Sequence, residues 1–148
     1  NLPKLGYKNR IEVMTPLIPG LVAGGKMSSS VKGSKIDLID DENAVNEKIN
    51  SAYCEEGIIE NNGVWAFLKY VLMVLKQDNH ESFVVERPAK FGGNAVYKTY
   101  EALEKDYINK KLHPMDLKKA TAKEINKLLA VIRKKFVGKE KLIKAAYL

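Results

Sequence analysis

The chain has 148 residues, 45% of them hydrophobic, and its 25 Lys and Arg against 18 Asp and Glu give a net charge of +7 and a pI near 9.4. That length suits one domain, or a small domain with an appendage, and the basic excess favours a polyanionic partner, since cations bound to phosphates release counterions. A single cysteine, Cys54, excludes an internal disulfide and, with no second Cys or nearby His, a zinc site; the longest apolar stretch, residues 64–75, contains Lys69 and falls short of the ~20 residues that cross a bilayer.

In chain order, the first residues, Asn1-Leu2-Pro3-Lys4, show no initiator Met and no signal-peptide pattern, so a fragment or processed product is expected. Residues 10–21 are β-branched and apolar, broken by Pro16, Pro19 and Gly20, which predicts a short strand and a turn. A small, polar loop follows in Gly24-Gly25-Lys26-Met27-Ser28-Ser29-Ser30 and runs through Lys35. Val45, Ile49, Ala52 and Tyr53 recur at helical spacing behind Asp40 and Asp41, and predict a helix over 42–54 that Gly57 stops. Cys54 is expected there as a small core residue, in a reduced, cytoplasmic setting.

Residues 64–76 are apolar almost all round, the pattern of a buried helix with Trp65 in the core. Residues 82–86 predict a short strand ended by Pro88, and Phe91-Gly92-Gly93-Asn94 an irregular loop. His80 falls in a polar loop at the surface. Thr99 can cap a helix reaching about Lys111, and Pro114, preceded by His113, suits the first turn of another. In that last helix Leu117, Ile125, Leu128, Leu129, Ile132 and Phe136 predict one apolar face. Its other faces carry Lys118, Lys119, Lys123, Lys127, Arg133, Lys134 and Lys135, as a surface facing RNA would, or as any solvated helix face would.

Three groups of residues could carry chemistry. Lys26, between two glycines and three serines, places a mobile cation and several hydroxyl and amide donors on one segment; such a loop can close over phosphates, or be an exposed linker. Phe91 on its glycine-rich loop can stack on an unpaired base, or be a core aromatic. Asp116 can accept two hydrogen bonds from the Watson–Crick edge of guanine, which adenine cannot offer; with His113 it can equally cap the helix that Pro114 opens.

Lys26-Met27-Ser28-Ser29-Ser30 resembles the second signature of class I aminoacyl-tRNA synthetases, in which a lysine usually stands where this chain has Ser29. Pro19-Gly20-Leu21, Ser34-Lys35-Ile36-Asp37-Leu38, Ala52-Tyr53-Cys54, Glu60-Asn61-Asn62-Gly63, Phe91-Gly92-Gly93-Asn94, Tyr100-Glu101-Ala102-Leu103-Glu104 and His113-Pro114-Met115-Asp116-Leu117-Lys118 look like stretches of tyrosyl-tRNA synthetases of the eukaryotic or archaeal type, and come in that family's order. The resemblance covers essentially the whole chain.

It implies a mainly α fold: a helical anticodon-binding domain, residues 41–148, preceded by the end of a class I, Rossmann-type catalytic domain with the ATP loop, residues 1–40. It further implies ATP as substrate, with Mg2+, and a tyrosine tRNA as partner. Lys26, Ser28 and Ser29 would be catalytic; Lys26, Met27, Ser28, Ser29 and Ser30 would contact ATP; Phe91, His113 and Asp116 would read the anticodon. The companion signature His-x-Gly-His is absent from the 148 residues, whose histidines are His80 and His113. An N-terminal catalytic half is therefore expected as a further partner, the parent enzyme as a cytoplasmic homodimer, and the fragment as an inactive monomer. A stand-alone RNA-binding or protein-interaction module derived from a synthetase is the alternative.

Overall fold

In a computed structural model of the chain, residues 3–6, 14, 16–28 and 30–146 are described, without side chains at 140, 144 and 146. The expected strand over 10–21 lies partly outside these residues. Within them, Pro19 forms one antiparallel bridge to Lys26. A 3-10 turn at Pro3–Leu5 comes before it.

Helix α1, Glu42–Ser51, begins where Asp41 accepts the Ala44 amide at 2.7 Å, and buries Val45 and Ile49. It stops at Ser51, short of Tyr53 and Gly57, because the Ala52 amide closes the last turn onto Ile49 and the chain leaves extended. Cys54 therefore lies in a loop, half-buried, its Sγ 3.2 Å from the Tyr107 hydroxyl.

The next helix opens with α2, Gly63–Phe67, capped by Asn62, whose side-chain oxygen accepts the Val64 and Trp65 amides. It widens into a π-type turn, Leu68–Leu72, and continues as α3, Met73–Asp78. Its all-round apolar pattern predicted complete burial. Val64, Trp65, Leu68, Leu72 and Met73 are buried, but Tyr70, Val74 and Leu75 are exposed, since the rest of the molecule covers one side only.

Strands β1, Phe83–Val85, and β2, Ala95–Tyr97, pair antiparallel with Phe83 opposite Tyr97. Phe83, Val85 and Tyr97 face inward, while Val84 and Val96 face out. Thr99 caps α4, Tyr100–Ile108. Helix α5, Pro114–Phe136, crosses the molecule, packing on α1 and β1, and α6, Glu140–Ala146, ends the described chain. No helix among the described residues is long and apolar enough to cross a membrane.

The fold is thus helix-rich with one small sheet. Its core joins Trp65, Leu68, Leu103, Tyr107, Leu112, Leu117, Ile125 and Leu129, with Trp65 and Tyr107 in ring contact at 4.8 Å. The α5 face differs from expectation: Ile125 and Leu129 are buried, but Leu128 and Phe136 are exposed, and Ala120, Thr121 and Ala122 complete the inner surface. Lys118, expected on the solvated face, is buried and donates to the Asn50 carbonyl at 3.0 Å, satisfying a carbonyl of the last turn of α1.

Candidate functional site

Two sites emerge from this framework. The first is the segment carrying Lys26, a hairpin drawn tight by backbone bonds from Gly20 to Gly25 at 2.7 Å and from Gly25 to Val22 at 3.1 Å. Gly20 is required: a Cβ there would lie 2.8 Å from the Lys26 carbonyl oxygen. Lys26 itself is exposed, lines a hollow of about 390 Å³ with Leu17, Pro19 and Asn61, and has no ion-pair partner among the described residues.

Beyond Lys26 the chain is held by Ser34. Its buried hydroxyl donates to the Ser28 carbonyl at 2.7 Å and accepts the Ser28 amide at 3.1 Å. The Ser28 and Ser30 hydroxyls bond each other at 2.8 Å. Met27 is half-buried, and Ser29 lies outside the described residues. Lys26 therefore lines that hollow without Ser28 or Ser30, whose hydroxyls bond each other instead.

Sequence reasoning passed over Ser34, although a serine just after a Lys-Gly turn, closing back on a serine six residues earlier, is an ordinary turn device. The strap is fastened to the helical body through Leu21. Leu21 is buried in the core, its carbonyl accepts the Tyr53 amide at 2.8 Å, and its amide donates to the Ser34 carbonyl at 2.9 Å. Downstream, Lys35 pairs with Asp37 at 2.6 Å, and Lys48 of α1 with Asp40. The Lys35 bond holds the Asp37 carboxyl below the usual carboxylate range.

The second site brings together Phe91, His113 and Asp116 from two parts of the chain. They line one pocket of about 410 Å³ with Glu56, Arg87 and Lys110. Phe91 ends a 3-10 turn, Ala89–Phe91, and the chain turns away through Gly92 and Gly93, with φ of 91° and 70°, a conformation that favours glycine. The ring is 60% exposed, so it is not the core aromatic that the sequence left open. The Lys90 ammonium lies over the ring, 5.0 Å from its centroid.

His113 caps α5, its Nδ1 accepting the Met115 amide at 3.1 Å. That bond requires an unprotonated Nδ1, so neutral His113 carries its proton on Nε2 and can donate from there. Asp116, by contrast, does not cap. It is half-buried, in the first turn of α5, and its carboxylate accepts no hydrogen bond among the described residues.

Arg87 is the residue that sequence reasoning missed. Its Nε donates to the Gly93 carbonyl at 3.0 Å and its Nη1 to the Lys111 carbonyl at 2.8 Å, tying the Phe91 loop to the turn that precedes His113. An arginine next to a proline carries no local sign of such a role.

The site can be set beside known proteins. The family model of class I tRNA synthetases (W and Y) matches residues 2–130. The chain is 51% identical to the cytoplasmic tyrosine–tRNA ligase of Gallus gallus over 148 residues, 99% of this chain and 27% of that protein. It is 43% identical to the cytoplasmic tyrosine–tRNA ligase of Saccharomyces cerevisiae, spanning 38% of its length. A crystal structure of the Archaeoglobus fulgidus tyrosyl-tRNA synthetase complexed with L-tyrosine matches with a TM-score of 0.81 at 43% identity, over 90% of this chain and 40% of that one. The chain thus spans well under half of the relatives it matches.

Proposed function

We infer, from the premise that the chain belongs to the tyrosyl-tRNA synthetases within the class I tRNA synthetases (W and Y), that it is the part of a cytoplasmic tyrosine–tRNA ligase that carries the ATP loop and reads the anticodon. Residues 1–40 close the catalytic domain in this reading, and residues 41–148 form the anticodon-binding domain.

The parent enzyme joins tyrosine to ATP: the tyrosine carboxylate attacks the α-phosphate, and pyrophosphate leaves. A ribose hydroxyl of the tRNA then attacks the tyrosyl carbonyl and releases AMP. Negative charge on the leaving pyrophosphate calls for a cation, which the exposed Lys26 can supply once its segment closes, with the Ser28 hydroxyl, released from its bond to Ser30, and the Ser29 hydroxyl donating. Met27 and Ser30 complete the loop around ATP.

Mg2+ would be carried on the ATP phosphates. In the parent homodimer the rest of the catalytic domain supplies the tyrosine pocket, and the 148 residues alone are an inactive monomer in this reading.

The observation that carries the anticodon reading is the single pocket shared by Phe91, His113 and Asp116. It supports stacking of the first anticodon base on the exposed Phe91 ring, with the Asp116 carboxylate, which has no partner among the described residues, accepting from guanine N1 and N2. The test is the affinity of the chain for a tyrosine-tRNA anticodon stem-loop against the same RNA with adenine for that guanine. A preference of about 1–3 kcal/mol that vanishes in Asp116→Ala is expected. Equal binding of both RNAs by the unaltered chain would defeat the assignment.

A further inference from the structure

A hollow of about 630 Å³ lies outside both sites, between α1 and α5. Its walls carry three amides, Asn46, Asn50 and Asn126, and three cations, Lys119, Lys123 and Lys127. Ala122 and Ala130 also line it.

Its polar groups are arranged to donate. Arg133, which has no acceptor, donates from Nη2 to the Asn126 side-chain oxygen at 2.7 Å; the Asn126 amide nitrogen then donates to the Asn46 side-chain oxygen at 3.2 Å. The chain of bonds leaves the Asn46 amide N–H groups without a partner among the described residues. Lys119 has no ion-pair partner among those residues either. Lys123 pairs with Glu86 at 2.5 Å between two exposed side chains, a weak pair that a phosphate can displace, whereas Lys127 is held at 2.6 Å by the largely buried Glu124. The facing acid is Glu42, at the rim and 74% exposed, 4.0 Å from Arg133.

Helix α5 lines both the groove and the base pocket. Asp116, Lys119, Lys123 and Lys127 follow at spacings of three and four, on one side of α5, and each four-residue step advances about 6 Å, comparable with the step between phosphates on an extended strand.

We propose that the α1–α5 groove holds the sugar–phosphate backbone of the RNA whose base enters the Phe91–Asp116 pocket, with Lys119 and Lys123 neutralising successive phosphates and Asn46 donating to a phosphate oxygen. The proposal rests on the anticodon reading above, and adds to base recognition a backbone track that sets the register of the strand.

The test uses the 148-residue chain and the guanine and adenine stem-loops, titrated between 50 and 200 mM salt. The double variant Lys119→Ala/Lys123→Ala, whose side chains lie at the surface, should bind both RNAs about tenfold more weakly and flatten the salt slope by about 1.4, two contacts at ~0.7 each, with the guanine-to-adenine ratio unchanged. Asn46→Ala should weaken both severalfold without changing the slope. Unchanged affinity and slope would overturn the groove while leaving the guanine preference standing; no guanine preference in the unaltered chain would overturn the anticodon reading instead. An equal loss in Lys134→Ala/Lys135→Ala, outside the groove, or competition by polyglutamate as strong as that by RNA, would show a diffuse basic surface and overturn the proposal.

Discussion

The strap of residues 14–40 and the helical body that follows it are held by different forces. Among the described residues the strap gives the core one fully buried apolar side chain, Leu21, with Ile36 packed partly against it. The rest of its anchorage is backbone hydrogen bonds, the buried Ser34 hydroxyl and ion pairs around Asp37 and Asp40. The body instead closes a continuous apolar cluster from α1 to α5. The difference suits the two tasks proposed above. A pocket that discriminates one base needs its groups held on rigid elements, whereas a loop that must close over ATP and release pyrophosphate needs a low cost of movement.

That contrast can be broken first at its strong end. Trp65→Ala removes the largest fully buried side chain, and should cost about 3–5 kcal/mol and lower the melting temperature of body and strap together. Gly63→Ala tests the junction. A Cβ on Gly63 would overlap the Gly20 carbonyl, so the strap should lift at a cost of about 1–3 kcal/mol. Hydrogen exchange would then accelerate at the Leu21 and Tyr53 amides by tenfold or more, with α5 still protected; uniform loss of protection would mean that strap and body are one cooperative unit.

Tyr107→Phe should cost about 1–2 kcal/mol in the urea midpoint. It leaves the Glu55 carbonyl without the donor now 2.7 Å away, in a site whose burial already pushes the phenol upward in pKa.

The smallest effect belongs to the strap. Asp37 is depressed by Lys35, so its contribution is present above the unfolded carboxylate pKa and is lost as pH falls through the lower folded value. Asp37→Asn should therefore cost less than about 1 kcal/mol at pH 7, and variant and parent should converge only once the pH falls below the lowered folded pKa of Asp37, where both lack the charge.

Read as a string, the chain already carries its elements, because helix starts and turns are decided by neighbours: Asp41, Thr99 and the His113-Pro114 pair mark helix starts, and the glycines after Phe91 a turn. The family signatures are equally local. What the tertiary structure alone decided is which face of each element is covered. Lys118 is buried because α1 ends against it, whereas Leu128, Phe136 and Val74 stay exposed because nothing packs over them. The shared pocket of Phe91, His113 and Asp116 is likewise long-range, with Arg87 bonded across 24 residues to the Lys111 carbonyl. Periodicity is a property of residues a turn apart; burial and convergence depend on segments that meet only when the chain folds.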